Sequence, residues 1–239
     1  MRLSLGLVVA CLAAGATLAS GEEPAAPEAP PQRHTVTRGA LPEDLPGRWL
    51  ALAWMKLPTG VRTIPVLWTI TSADGQLALT SRAVLLPATS ADRLKAANDA
   101  GQAWKPAADD LDALAAHWDD LRDAAAPVPG SIDTEIIARE AFDDPIKEDP
   151  DTKDALWIVR QNETFPKKVS SIVQQVRVYA VRERRDGGYA GGFVHAAIAM
   201  APFALPITFH GDFQLYRVSD APRSLLSRMM DVLRGCRGR

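Results

Sequence analysis

Cysteine is almost absent from this 239-residue chain, which has only Cys11 and Cys236. Cys11 falls in an N-terminal segment that reads as removable, so one thiol remains and no internal disulfide can form. Stability must come from packing, and six tryptophans are there to anchor a core. An excess of charge of one sign is also missing. The 27 Lys and Arg nearly balance 29 Asp and Glu, for a formal net charge of −2, which offers no basic face for nucleic acid. Catalytic signatures are lacking as well. No Gly-x-Ser-x-Gly surrounds Ser81, Ser170 or Ser171, and no phosphate-cradling glycine loop occurs. Nothing near Cys236 would orient it as a nucleophile, so it reads as a solvated tail thiol. No catalytic residue and no cofactor is implied.

Long apolar runs are lacking after the first twenty residues. The N-terminal run, Leu3 to Leu18, follows Arg2 and ends in the small residues Ala19, Ser20 and Gly21 before Glu22 and Glu23. That order fits a secretory signal over residues 1–21, cleaved after Ser20 or Gly21. The run is short for a bilayer, which asks for about 20 residues. A bacterial periplasmic or secreted location is therefore expected. Val8-Val9-Ala10-Cys11 also resembles a lipobox, which leaves open a lipoprotein anchored at Cys11 and, with it, membrane association. Residues 22–40, with Pro24, Pro27, Pro30 and Pro31, read as a disordered Pro/Ala-rich linker.

A folded domain is expected over 41–234. Strands are predicted at Trp49 to Lys56, Val61 to Ile70 and Gln76 to Leu86, with Asp74-Gly75 as a hairpin turn. The period then changes to a helical one over Ser90 to Trp104 and Ala107 to Ala125, a two-helix insertion at about 90–130. Leu111, Leu114, Trp118 and Leu121 fall on one face of its second helix. Strand character returns at Ile132 to Ala138, Ala155 to Gln161, Lys168 to Arg184, Ala190 to Ala201 and Ile207 to Val218. In the last of these, Ile207, Phe209, Phe213 and Leu215 share one face, with His210 and Asp212 on the other. An amphipathic helix is predicted from Pro222 to Arg234. The fold class is mainly β: an antiparallel barrel of about eight strands, or a sandwich, with a two-helix insertion and a C-terminal helix.

Gly47-Arg48-Trp49, entering the first strand, resembles the Gly-x-Trp motif of lipocalins and related calycin barrels. The resemblance implies that Trp49 closes one end of the barrel and that Arg217, on the last strand, packs across its ring. It also implies a small apolar ligand in the lumen. The Thr-Asp-x-x-Tyr turn and the disulfide cysteines of typical lipocalins are absent.

Inward residues expected to line such a cavity are Trp68, Val176, Val178, Phe209, Phe213 and Leu215. The same residues would form the core of a filled barrel. His195 and His210, roughly opposite in a hairpin, are candidates to begin a metal site with Asp212, or simply two histidines on a polar surface. The acidic stretch from Glu140 to Asp154 lacks the spacing of a calcium loop and reads as solvated, and Gly191-Gly192 reads as turn glycine. Besides an enzyme using His195, His210 and Asp212, two functions follow as expectations. One is an exported lipocalin-like binder of a small apolar ligand, and the other is a cell-envelope structural or assembly factor acting through protein–protein contacts.

Overall fold

Alternation of inward and outward side chains builds this molecule, and on several strands both faces are covered. The computed structural model describes residues 32–73, 75–121, 131–143, 152–166, 172–185, 187–199 and 207–219. The signal segment, the C-terminal helix expected at 222–234 and residues 144–151 of the acidic stretch lie outside them. The strands are β1 (Gln32–Arg38), β2 (Gly47–Leu57), β3 (Gly60–Ala73), β4 (Gln76–Arg82), β5 (Ser131–Ala138), β6 (Trp157–Thr164), β7 (Ile172–Arg185), β8 (Gly188–Ala199) and β9 (Ile207–Val218). They form one sheet in the order β1-β5-β6-β7-β8-β9-β2-β3-β4. All neighbours are antiparallel except β1, which lies parallel to β5.

The sheet curls into a nearly closed barrel, and its seam is unusual. β1 meets β4 through side chains in place of a backbone ladder. Thr37 Oγ1 accepts from Leu77 N at 3.1 Å and donates to Leu77 O at 3.3 Å. Thr35 Oγ1 accepts from Leu79 N at 3.4 Å, and Arg33 Nη1 donates to Ser81 O at 3.0 Å. Two threonines thus occupy backbone groups that an open edge would present to solvent or to another chain.

β1 corrects the sequence reading, which placed 22–40 in a linker and counted about eight strands. Residues Gln32–Arg38 are the ninth strand. Their mostly polar sequence has little apolar area of its own, and the strand exists because β5 supplies a template.

The barrel lumen holds one core cluster, which includes Trp49, Trp68, Trp157, Tyr179, Phe193 and Phe213. A second cluster lies on the outer wall of β2, β3 and β9, under α1 (Ala88–Asp99) and α2 (Ala108–His117). Leu50, Leu52, Leu67, Leu114, Trp118 and Val218 meet there. This explains why β2 is apolar on both faces: Trp49, Ala51 and Ala53 face inward while Leu50 and Leu52 face the helices.

The insertion is pinned by specific polar contacts. Asn98 brackets Thr63, its Oδ1 accepting from Thr63 N at 2.7 Å and its Nδ2 donating to Thr63 O at 3.3 Å. Trp54 Nε1 donates to Trp104 O at 3.0 Å, and Ser90 Oγ donates to Asp110 Oδ1 at 2.7 Å. Both helices end earlier than expected. The first stops at Asp99 because the chain beyond it docks on β3, where Val61 N donates to Gly101 O at 2.8 Å. Among the described residues no helix is long and apolar enough to cross a membrane.

Thr37→Val would remove the double contact with Leu77 while keeping the shape of the side chain. It is expected to lower unfolding free energy by about 1–2 kcal/mol, measurable by urea denaturation against wild type.

Candidate functional site

The two ends of the barrel differ in chemistry. At one end Trp49 and Arg217 are a cross-strand pair of β2 and β9. The Arg217 guanidinium carbon lies 4.9 Å from the centre of the Trp49 ring, a cation–π stack. Arg217 Nη1 also donates to Asp44 O at 2.6 Å, and Trp49 Nε1 donates to Leu45 O at 2.8 Å. The glycine of the motif is a geometric requirement. Gly47 has φ +138°, and a Cβ there would sit 2.5 Å from Arg217 Nη2. Arg48 faces outward, stacks 5.5 Å from the Trp118 ring and pairs with Asp119 at 3.3 Å. One tripeptide therefore seals the lumen and grips the insertion.

Tyr189 completes the seal. Its hydroxyl donates to Asp44 Oδ1 at 2.6 Å, while Arg184 pairs with Asp44 Oδ2 at 2.7 Å. Burial, reinforced by the Asp44 carboxylate, pushes the Tyr189 hydroxyl well above the usual tyrosine range. Its ring meets Trp49 at 5.7 Å and Trp157 edge-on at 5.4 Å. Above this plug a second aromatic layer joins Tyr179 to Trp68 at 4.8 Å, Phe193 at 5.0 Å and Phe213 at 5.4 Å. Burial raises the Tyr179 hydroxyl too.

Towards the opposite end the lumen turns polar. On β7, Tyr179 and Val181 face inward, and the same parity turns Gln175 and Arg177 inward. Val176 and Val178 consequently face outward with Ala180, which belongs to an outer-wall cluster. They do not line the lumen as expected. The alternation rule assigns apolar residues to the inside, and here the inner face carries the polar ones.

β6 contributes Gln161 and Glu163 from the inward face that begins with Trp157 and Val159. Glu163 pairs with Arg177 at 3.3 Å and accepts from Gln175 Nε2. Gln175 Oε1 lies 3.2 Å from His195 Nε2. Gln161 Nε2 donates to Ser81 Oγ at 3.0 Å and to Thr134 Oγ1 at 3.5 Å.

His195 lies between Phe193 and Phe209, with ring centres 6.4 and 6.3 Å away. Burial first, and then the nearby Arg177 charge, lowers its pKa from 6.5 to about 4. The imidazole is neutral at pH 7. The register overturns the histidine pair as a metal site. His195 pairs with Phe209 and Val194 with His210, so the two histidines face opposite sides of the wall. Asp212 is also outside, paired with Lys56 at 3.0 Å. Among the described residues no group of three metal-ligating side chains gathers.

Of the other expected lining residues, Trp68, Phe213 and Leu215 are fully buried in the aromatic floor, and Phe209 is half-buried toward the end away from Trp49. Gly191 is not a turn residue. It lies within β8, where a Cβ would fall 1.9 Å from Ala180 O. A hollow of about 410 Å³ lies on the outer surface, where Leu86 and Pro87 approach His117 and Leu121.

The polar set of Gln161, Glu163, Gln175 and Arg177 escaped the sequence reading. The signal that could have found it was parity counted from the aromatics Trp157 and Tyr179. Comparison of the chain with protein-family models, with characterised proteins and with solved structures finds no match.

The folded-state pKa of His195 lies below the unfolded value, so the unfolded chain takes up this proton first. Stability is then expected to fall as pH drops from about 6.5 to about 4, with a slope approaching 1.4 kcal/mol per unit. His195→Gln should flatten that part of a stability-against-pH curve obtained by chemical denaturation.

Proposed function

We propose that this chain is an exported, lipocalin-like protein that holds a small, largely apolar molecule in the half of its lumen away from Trp49. The observation that carries this reading is the asymmetry of the barrel. One end is plugged by Trp49, Arg217, Asp44 and Tyr189. Toward the other, the inward-facing Ile64, Val66 and Phe209 pack on the core yet stay only half-buried, as Leu41 and Leu77 do at the plugged end. Apolar side chains that face a lumen and remain partly wetted gain when a ligand covers them.

The Gly-x-Trp tripeptide with its stacked arginine supports the family likeness. Export is part of the same proposal and rests on the segment 1–21. The alternative, an envelope factor acting through the insertion, draws less support. The apolar residues of α1 and α2 are engaged on the barrel wall, not turned outward toward a partner.

Native mass spectrometry of the protein purified from a bacterial host is expected to show an extra mass that extracts into organic solvent. Ile64→Trp, which adds bulk to the half of the lumen away from Trp49, is expected to abolish uptake of an apolar fluorescent probe while leaving the circular dichroism spectrum unchanged. A wild-type protein that carries no such mass and takes up no probe would refute the binding reading.

A further inference from the structure

The lumen holds a hydrogen-bonding group that the protein itself leaves unanswered. Gln161 is 2 % exposed, and its Oε1 has no partner. Its Nε2 is committed to Ser81 Oγ and Thr134 Oγ1. Turning the amide over does not remove the problem. The oxygen would then face the two hydroxyls and the NH2 would be left without an acceptor, so one end of the amide stays orphaned either way. A buried amide oxygen without a donor is destabilising, because its lost hydration is not replaced.

Trp68 Nε1 and Trp157 Nε1 are also buried without a hydrogen-bond partner. Their rings meet Tyr179 and Tyr189 edge-on, and aromatic surroundings partly compensate an N–H. An amide oxygen gains nothing from the electron-rich face of a ring.

The charge balance around Gln161 narrows the chemistry further. Glu163 is matched by Arg177 and by the Gln175 amide. Because Gln175 Nε2 is held by that carboxylate, its Oε1 faces His195, and His195 Nε2 must be the donor. The neutral imidazole then keeps Nδ1 as an acceptor. Arg33, at the seam, is exposed and engaged with Ser81 O. Among the described residues, the wall thus offers acceptors and no surplus buried cation.

We infer that Gln161 receives the hydrogen-bond-donating end of an uncharged ligand, such as a long-chain alcohol, and selects against fatty carboxylates. This rests on the binding function proposed above. An ionised carboxylate brings no donor for Gln161 Oε1 and adds a charge that must be desolvated. A hydroxyl brings the missing donor.

The test compares three probes on the full chain: a long-chain primary alcohol, its methyl ether and the carboxylate of the same chain length. Binding is read by quenching of the intrinsic tryptophan fluorescence. The alcohol is expected to bind about tenfold more tightly than either of the others. Gln161→Leu is expected to bring alcohol and ether to equal affinity while the ether still binds.

If ether and alcohol bind wild type equally, the donor-recognition inference falls and the apolar-binding reading stands; a trapped water on Gln161 would give this result. If the carboxylate binds tightest, the inference also falls. If none of the three binds, the binding function itself fails. Should Gln161→Leu not fold, the ranking on the wild-type chain decides.

Discussion

The stack of Arg217 on Trp49 is the contact around which one end of this barrel is organised. It joins the first strand of the β2–β4 meander to β9, the last described strand, and it holds the segment before β2 through the Asp44 carbonyl. A guanidinium suits this position because its flat face can lie on an indole while its edge donates hydrogen bonds in plane. An ammonium would offer charge without the fork. The contact also dictates the absence of a side chain at Gly47, since the guanidinium occupies the place a Cβ would take. Asp44 extends the seal to β7 and β8 by pairing with Arg184 and accepting from Tyr189. The plug is therefore a polar clasp laid over an aromatic floor, with each charge close to a partner.

Beyond that floor the lumen changes character. Trp157 and Val159 give way to Gln161 and Glu163 along β6, and Tyr179 gives way to Arg177 and Gln175 along β7. Both strands turn from apolar to polar at the same level of the barrel, because antiparallel pairing sets Gln161 opposite Arg177 and Glu163 opposite Gln175. Buried polar groups are tolerated when they answer one another. Here Glu163, Gln175, Arg177 and His195 do so, and Gln161 does so with its nitrogen but not its oxygen.

Much of this architecture was legible in the sequence, and what was not has identifiable causes. β9 was read at its observed bounds, Ile207–Val218, because its apolar and polar residues alternate cleanly and turn-forming residues flank it. The helical insertion was visible from the change of period. β1 was not, since a short polar strand gains its order from β5 and from the threonine bonds to β4, neither of which is a local property. Val176 and Val178 were placed inside because alternation says which residues share a face, not which face is inner. Only a fixed point such as Tyr179 settles the direction. The histidines failed on register: a one-residue offset between β8 and β9 sends them to opposite sides of the wall. The Trp49–Arg217 contact was legible through the Gly-x-Trp resemblance, and a cation on an otherwise apolar strand face asks for such a partner.

The threonine-stitched seam also gives the molecule a mechanical direction. β1 is its first described strand, and it begins at Gln32 paired with Ser131. Tension applied through the residue before Gln32 reaches this strand first, before any element of the meander. One side of β1 is a parallel ladder and the other is held by side-chain contacts alone, so force from the N-terminal side would part the seam between β1 and β4 while the antiparallel pairing from β5 through β9 to β4 was kept. Pulled from its N-terminal side, the barrel would open like a stave lifted from a cask, exposing Gln161 and its neighbours while the Trp49 plug stayed shut.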